Sequence, residues 1–390
     1  MREAIHSSIL EVWPNCAGDP VIRRPDCVVD ISQKGAFNIS TITLSGAYEY
    51  FIRALLPLHR LLQDETDLSK YETQDISDLL WVGSAGGRSE AAIVCRRGKP
   101  DARYILKGVT YKTYLEYAEE IEDRMEVCYH EIRTIRALPR HDNIIAPASI
   151  FAVVRNVKDG DQEDLVCGVL YPLLENFSLS TRIDQQLMPT TTTREPRRNL
   201  ARWCFQMVSA IAHTHFEAHT YHMDLKPPNI LLDDEENIIV IDWEQSGAPR
   251  STRAPEVDGT WDVQEVNNED VPHLIYTKYK GPPRQNMAHG RPKWNIFPIW
   301  RQHCPRALEK AEVYSLGRTM WMLLQLVGSE ELEGNEKLAM YWDERSKDIP
   351  QHWKELVGRC LEPDPNTRVG LRELEAFWRE EKQKSESSED

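Results

Sequence analysis

An α+β fold is predicted for this chain, with a small β-rich part followed by a larger, mainly helical one. Two observations predict it. Short apolar segments of strand length, Asp78–Gly83, Ala91–Arg96 and Ala102–Lys107, precede one long charged helical stretch, Tyr111–Leu138, and two more follow it, Ala148–Val154 and Asp164–Leu170. From Arg194 the apolar spacing becomes helical. Leu200, Trp203, Met207, Val208 and Ile211 share one side of Arg194–Phe216, and the pattern is helical again from about residue 311 to the end.

Length and composition set the outer bounds. The chain has 390 residues, 41% hydrophobic and 28% charged, enough for a sizeable core in a globular protein. A formal net charge of −15 argues against nucleic acid as the main partner and fits a solvated surface. The cysteines at 16, 27, 95, 128, 167, 204, 304 and 360 form no Cys-x-x-Cys pair, so single thiols in a reducing compartment are expected. No apolar signal core opens the chain and no run reaches eighteen apolar residues, which predicts a soluble intracellular protein, in cytoplasm or nucleus, with no membrane association. The oligomeric state is not legible.

In chain order, residues 1–43 are mixed, with turns at Pro14, Pro20 and Pro25 and a β-like stretch near Val28–Ile31. Residues 44–64 place Tyr48, Phe51, Ile52, Leu55, Leu58, Leu61 and Leu62 on one helical face with a break at Pro57. That face is expected to pack on the following domain or on the rest of the N-terminal segment; a partner-binding helix is the alternative. The polar end, Glu-Glu-Lys-Gln-Lys-Ser-Glu-Ser-Ser-Glu-Asp, is expected to be disordered.

The chemistry concentrates in Tyr221-His222-Met223-Asp224-Leu225-Lys226-Pro227-Pro228-Asn229, followed by the apolar run Ile239-Val240-Ile241 and Asp242-Trp243-Glu244. One loop holds a carboxylate, a lysine two residues on and an asparagine five residues on. The strand then delivers a second carboxylate. A base for a hydroxyl, a cation for a phosphate and two oxygen ligands for a hard metal ion are the equipment for phosphoryl transfer. The stretch between Asn229 and Asp242 is the length of a tight β-hairpin turning at Asp233–Asn237, which returns both ligands to one point.

This segment resembles the catalytic loop and metal-binding strand of eukaryotic-type protein kinases, His-Arg-Asp-Leu, four residues, Asn, and then Asp-Phe-Gly. It departs from them at Met223 and at Trp243-Glu244. The resemblance spans roughly residues 78–380 and implies a bilobal protein-kinase-like fold: an N-terminal extension (1–75), an N-lobe (76–172), a C-lobe (173–380) with an insertion at about 257–311, and the acidic tail 381–390. The hinge is expected near Tyr171–Asn176. It implies ATP and Mg2+ as cofactors and a protein substrate. Asp224 would be the base and Lys226 the phosphate-facing cation. Asn229 and Asp242 would be the metal ligands, and His222 structural.

Further positions follow by resemblance. Lys107, closing Tyr104-Ile105-Leu106-Lys107, matches the lysine that pairs the nucleotide's α- and β-phosphates. Glu131 matches its helical partner, with Glu126 and Glu120 as substitutes. Val82-Gly83-Ser84-Ala85-Gly86-Gly87-Arg88 stands where a phosphate-covering loop belongs, with Gly83, Gly86 and Gly87 as its glycines, although Ala85 and Arg88 break the Gly-x-Gly-x-x-Gly spacing. Ala254-Pro255-Glu256 resembles the end of an activation segment, with Tyr279-Lys280-Gly281-Pro282-Pro283 as a rival. Glu312 stands where the family has Asp, and Arg368 is expected to pair with Glu256. Lys226-Pro227-Pro228-Asn229 favours serine/threonine kinases. Asp242-Trp243-Glu244 is also similar to small-molecule phosphotransferases, and the departures at Ile105 and Glu244 leave open a pseudokinase kept for binding.

Overall fold

The computed structural model describes residues 27–31, 37–41, 45–85, 91–117, 120–158, 161–174, 178–188, 194–266, 273–281, 296–335 and 338–387. The chain divides into two compact units. One comprises the residues up to Met125 with Ser149–Tyr171, and the other Glu126–Ala148 with Pro172 onward.

In the first unit, β1 (Cys27–Ile31) and β2 (Phe37–Thr41) pair antiparallel as a separate hairpin. Helix α1 (Ser45–Ala54) leads into β3 (Leu56–Pro57) and a single turn, α2 (Leu58–Leu61). The apolar face read from sequence is turned inward: Phe51, Leu55, Leu61 and Leu62 are buried, and the Phe51 ring lies 5.7 Å from those of Tyr111 and Tyr114. Then come β4 (Glu72–Asp75), β5 (Leu79–Ser84), β6 (Ala92–Arg96), β7 (Lys99–Gly108), helix α3 (Tyr111–Glu116), helix α4 (Ile121–Ala137), most of which belongs to the second unit, and strands β8 (Ile150–Lys158) and β9 (Asp161–Pro172).

The main sheet runs β4-β8-β9-β7-β6-β5, with β3 also pairing β9, so it has seven strands where five were expected. The two additional strands come from the segment read as an extension. Strand β4 pairs parallel with β8 and is the polar run Glu-Thr-Gln-Asp, which has no apolar alternation to read. Instead, Thr73 Oγ1 donates to Asp164 Oδ2 at 3.1 Å and Arg155 reaches Asp75 at 3.5 Å. The single charged helix expected over Tyr111–Leu138 is two helices, the first capped by Thr110, whose Oγ1 accepts from Thr113 N at 3.2 Å. Where the chain leaves β7, a β-carbon on Gly108 would sit 2.3 Å from Cys167 O, so only glycine allows that backbone contact.

The second unit is mainly helical. Its elements are α5 (Leu179–Gln186), α6 (Arg197–Phe216), the hairpin β10 (Ile230–Leu232) and β11 (Ile238–Val240), a second hairpin β12 (Trp261–Val266) and β13 (His273–Lys278), and then α7 (Phe297–His303), α8 (Pro305–Gln325), α9 (Ser329–Leu332), α10 (Gln351–Cys360) and α11 (Leu371–Ser387). Trp203, Trp321, Trp353 and Trp378 from α6, α8, α10 and α11 anchor one apolar core. Helix α8 is buried nearly all round, which marks it as the central element. Its one buried lysine, Lys310, is satisfied by the carbonyls of Arg368 (2.6 Å) and Val369 (3.2 Å).

The tail corrects an expectation. Helix α11 continues to Ser387, through most of the stretch read as disordered. Glu381 is buried and accepts from Trp353 Nε1 (2.6 Å), His352 Nε2 (2.9 Å) and Lys384 Nζ (2.9 Å). Composition alone could not show that one of these glutamates has an indole to cap.

Candidate active site

The hairpin β10–β11 carries the site. Leu231 and Ile239 pair across it, with Ile230 opposite Val240 and Leu232 opposite Ile238, and all four of these flanking residues are buried. The turn closes on Asp233, whose Oδ1 accepts from Glu235 N (2.9 Å) and Asn237 N (2.7 Å). Helix α6 grips the turn from the side: Trp203 Nε1 donates to Glu236 O at 2.7 Å, and Gln206 Oε1 accepts from Ile238 N at 3.1 Å. This framework returns Asp242 to Asn229. Asn229 Nδ2 donates to Asp224 Oδ2 at 2.9 Å and to Asp242 Oδ2 at 3.1 Å, so the amide lies between the two carboxylates. Lys226 Nζ stands 2.7 Å from Asp224 Oδ2. Asp224, Lys226, Asn229 and Asp242 are therefore brought together.

Burial, the largest cause, pushes the Asp224 carboxyl above the ordinary carboxylate range. The Lys226 ammonium pulls it back, and the Asp242 carboxylate raises it again. His222 is fully buried, and burial holds its imidazole below the usual histidine range. It stays neutral and donates from Nε2 to Ile241 O at 2.8 Å, with the Trp243 indole edge-on at 4.6 Å between ring centroids. This geometry matches a structural role rather than an acid–base one.

Beneath the loop, Glu312 of α8 accepts from His222 N (2.8 Å) and Met223 N (2.7 Å), while its other oxygen meets His215 Nε2 at 2.6 Å. These three donors outweigh burial and hold its carboxyl below the usual range. Met223 and Asp242 both adopt left-handed backbone (φ 76 and 71), which non-glycine residues adopt only where their surroundings fix it. Glu131 of α4 is buried, and its Oε1 accepts from Trp243 N at 3.0 Å.

Single oxygen atoms of Glu131, Asp242 and Glu244 lie within 4.8 Å of one another. These three carboxylates offer an all-oxygen donor set that fits a hard divalent cation, while Asn229 turns its amide N–H toward Asp242 at 3.1 Å. Sequence reading gave Glu244 no part in such a group, because in the resemblance its position belongs to glycine.

The remaining positions fall in the other unit or outside the described residues. Lys107 is half-buried near the end of β7. Gly83 lies in β5, where a β-carbon would meet no atom within 4 Å, so the chain itself does not demand glycine there. Gly86 and Gly87 lie outside the described residues. Further along, the expected ion pair is formed: Arg368 Nη1 and Nη2 donate to Glu256 Oε1 (2.5 Å) and Oε2 (2.9 Å), both side chains buried. That pair favours Ala254-Pro255-Glu256 over the rival end at residues 279–283.

Comparison with known proteins agrees. Residues 89–262 match the family model of the protein kinase domain. Residues 89–262 thus carry a protein kinase domain. Over 251 residues the chain is 24% identical to a serine/threonine-protein kinase of Caenorhabditis elegans, covering 62% of this chain and 20% of that protein. It is 25% identical to CBL-interacting protein kinase 28 of Oryza sativa subsp. japonica (63% and 47% covered). It is 28% identical over 186 residues to serine/threonine-protein kinase CHK1 of Saccharomyces cerevisiae (45% and 30%). The matched stretch thus spans between a fifth and a half of these relatives. The kinase domain has the fold expected, a β-sheet N-terminal region and a helical C-terminal part. No helix among the described residues is long and apolar enough to cross a membrane.

Proposed function

We propose that the kinase domain transfers the γ-phosphoryl group of ATP, with Mg2+, to serine or threonine hydroxyls of protein substrates. The observation that supports this most is the convergence of Asp224, Lys226, Asn229 and Asp242 within direct hydrogen-bonding reach of one another. Asp224, half-buried beside Lys226, would accept the hydroxyl proton and hold the oxygen in line. Its raised carboxyl makes it a better proton acceptor once ionised. Lys226 would balance charge on the transferred phosphoryl group. Asn229 and Asp242 would hold the cation, which when bound neutralises phosphate charge. Lys107 would hold the α- and β-phosphates, directed by Glu131, and Gly83, Gly86 and Gly87 would let backbone N–H groups approach them.

A second reading has a specific observation behind it. Glu244 occupies the glycine position after the metal aspartate and adds a third carboxylate to the Glu131–Asp242 group, which suits a fold that binds partners without turnover. Transfer of labelled γ-phosphate to a degenerate serine/threonine peptide library, with nucleotide binding measured in parallel, separates the two. The kinase reading expects transfer by the wild type, none by Asp224→Asn with nucleotide binding kept, and weakened metal-dependent binding by Asp242→Asn. Undiminished transfer by either variant refutes the site. No wild-type binding of Mg·ATP at millimolar concentration supports the second reading.

A further inference from the structure

Gln245 lies three residues beyond Asp242, at 3% exposure and with left-handed backbone (φ 52). A side chain is rarely held in that conformation unless its contacts dictate it. Its Nε2 donates to Thr220 Oγ1 at 3.1 Å and to Tyr221 O. A main-chain carbonyl only accepts, so the amide orientation is settled and Oε1 must be an acceptor. The group it meets is His130 Nε2, at 3.0 Å. His130 therefore donates through Nε2.

His130 is the neighbour of Glu131, and Glu131 accepts from Trp243 N. Two successive residues of α4 thus hold residues 243 and 245, immediately past the metal aspartate. Gln245 passes that hold to Thr220 and Tyr221, where the catalytic loop begins. Met223, buried and apolar, has no side-chain donor with which to make such a link.

We propose that Gln245 is a positioning residue for phosphoryl transfer: its single amide registers helix α4 and the start of the catalytic loop against the chain leaving Asp242. The proposal rests on the kinase reading above. Glu131 sits beside a residue that bonds Gln245, and Asp224 sits on the loop that Gln245 secures. Loss of the amide should loosen both at once.

The test uses the full chain with Gln245→Leu, His130→Leu and the double variant. In the peptide transfer assay Gln245→Leu should lower kcat about tenfold, the effect of losing one buried hydrogen bond at the transition state, with KM for peptide changed less than about twofold. The double variant should be no worse than Gln245→Leu, because both act through one contact. Amide hydrogen exchange should be faster in 126–137 and in 219–226 together. A purely packing role would lower stability without this paired loosening or the kcat-selective loss.

Additive losses, or exchange changed in only one of the two segments, would overturn the proposal. If Gln245→Leu does not unfold cooperatively, His130→Leu decides, since it must still speed exchange in 126–137 and in 243–246. Absence of wild-type transfer would count against the kinase reading alone, because the exchange measurement still shows whether Gln245 ties the two segments.

Discussion

The two hairpins of the helical unit are both antiparallel pairs, and they are held in opposite ways. In β10–β11 each strand has three residues, the outer ones buried, and the backbone is gripped by Trp203, Gln206 and Asn143, the last donating to Ile238 O at 2.9 Å. In β12–β13 the strands have six residues, Leu274 alone is buried, and a side chain grips the backbone at Leu274 while Tyr276 packs edge-on to Trp300. Asn366 accepts from Leu274 N at 2.8 Å and donates back to Leu274 O at 3.0 Å. The first hairpin returns Asp242 to 3.1 Å from Asn229 Nδ2, and side chains from outside it hold its turn and its second strand. The second carries none of the four clustered side chains and is held by Asn366 at Leu274 and by packing of Leu274 and Tyr276 in the cluster around Trp300. Precision here follows the number of independent contacts, not the length of the sheet.

The sharpest way to break the first hairpin's role is Asp224→Asn. Transfer should fall by about 10²–10⁴, the usual contribution of a general base. The same change should raise the stability of the metal-free protein. The folded carboxyl is held above its unfolded value near 3.9, so its ionised form destabilises the fold. That loss grows as pH rises from the unfolded value through the folded one. Asparagine removes it, so the variant should melt higher than wild type at pH 8, and the gap should close toward pH 4. A variant that melts lower at pH 8 would contradict the burial argument.

Arg368→Met should have the next largest effect. It strands Glu256, a buried carboxylate at the chain's entry to β12–β13, at a cost of about 3–5 kcal/mol. Adding Glu256→Gln should recover much of it, because the uncompensated charge rather than the missing contact is responsible. Chemical denaturation of the single and double variants reads this directly.

Asn366→Ala should cost less, about 1–3 kcal/mol for a part-buried N–H and C=O left unpaired. Its diagnostic is location: faster amide exchange in 261–266 and 273–278, with 230–240 and the transfer rate unchanged. Equal loosening of both hairpins would mean that they are one cooperative unit and that the comparison fails.

The same contrast explains what could be read in advance. In the proposed reaction Asp224, Lys226, Asn229 and Asp242 would act through side-chain types fixed by chemistry at short spacing, so the sequence displays them. The Glu256–Arg368 pair was legible through the family resemblance, in which the arginine of the late motif pairs with the glutamate of Ala254-Pro255-Glu256. Strand β4 was not, since a polar edge strand is specified by what it pairs with. Strands β12 and β13 are rich in β-branched and aromatic residues, Trp-Asp-Val-Gln-Glu-Val and His-Leu-Ile-Tyr-Thr-Lys, but their alternation is broken, and reading the stretch as an insertion passed over them. Gln245 offered no signal at all: its partners lie 24, 25 and 115 residues away.

The smallest effect expected is from phosphorylation of the segment between Asp242 and Glu256. Met223, where the family has an arginine able to bind phosphate, is 1% exposed and belongs to a second apolar cluster with Tyr221, Ala248, Ala254, Leu274 and Trp300. That cluster brings the second hairpin and α7 under the segment and can hold it without added charge. Other contacts do the same work. Ser315 Oγ donates to Thr252 O at 3.1 Å, and Arg318 Nε donates to Ser251 O at 2.9 Å. Thr252 is fully buried, so a modifying enzyme could not reach its hydroxyl without unfolding the segment. Phosphatase treatment, and alanine at Ser246, Ser251 and Thr252 in parallel, should therefore change transfer less than about twofold. Trp300→Ala, which empties the cluster, should instead destabilise the fold by about 3–5 kcal/mol and lower transfer with it. A large loss of activity in both the phosphatase and the alanine experiments, with Trp300→Ala harmless, would show that charge and not apolar packing orders this segment.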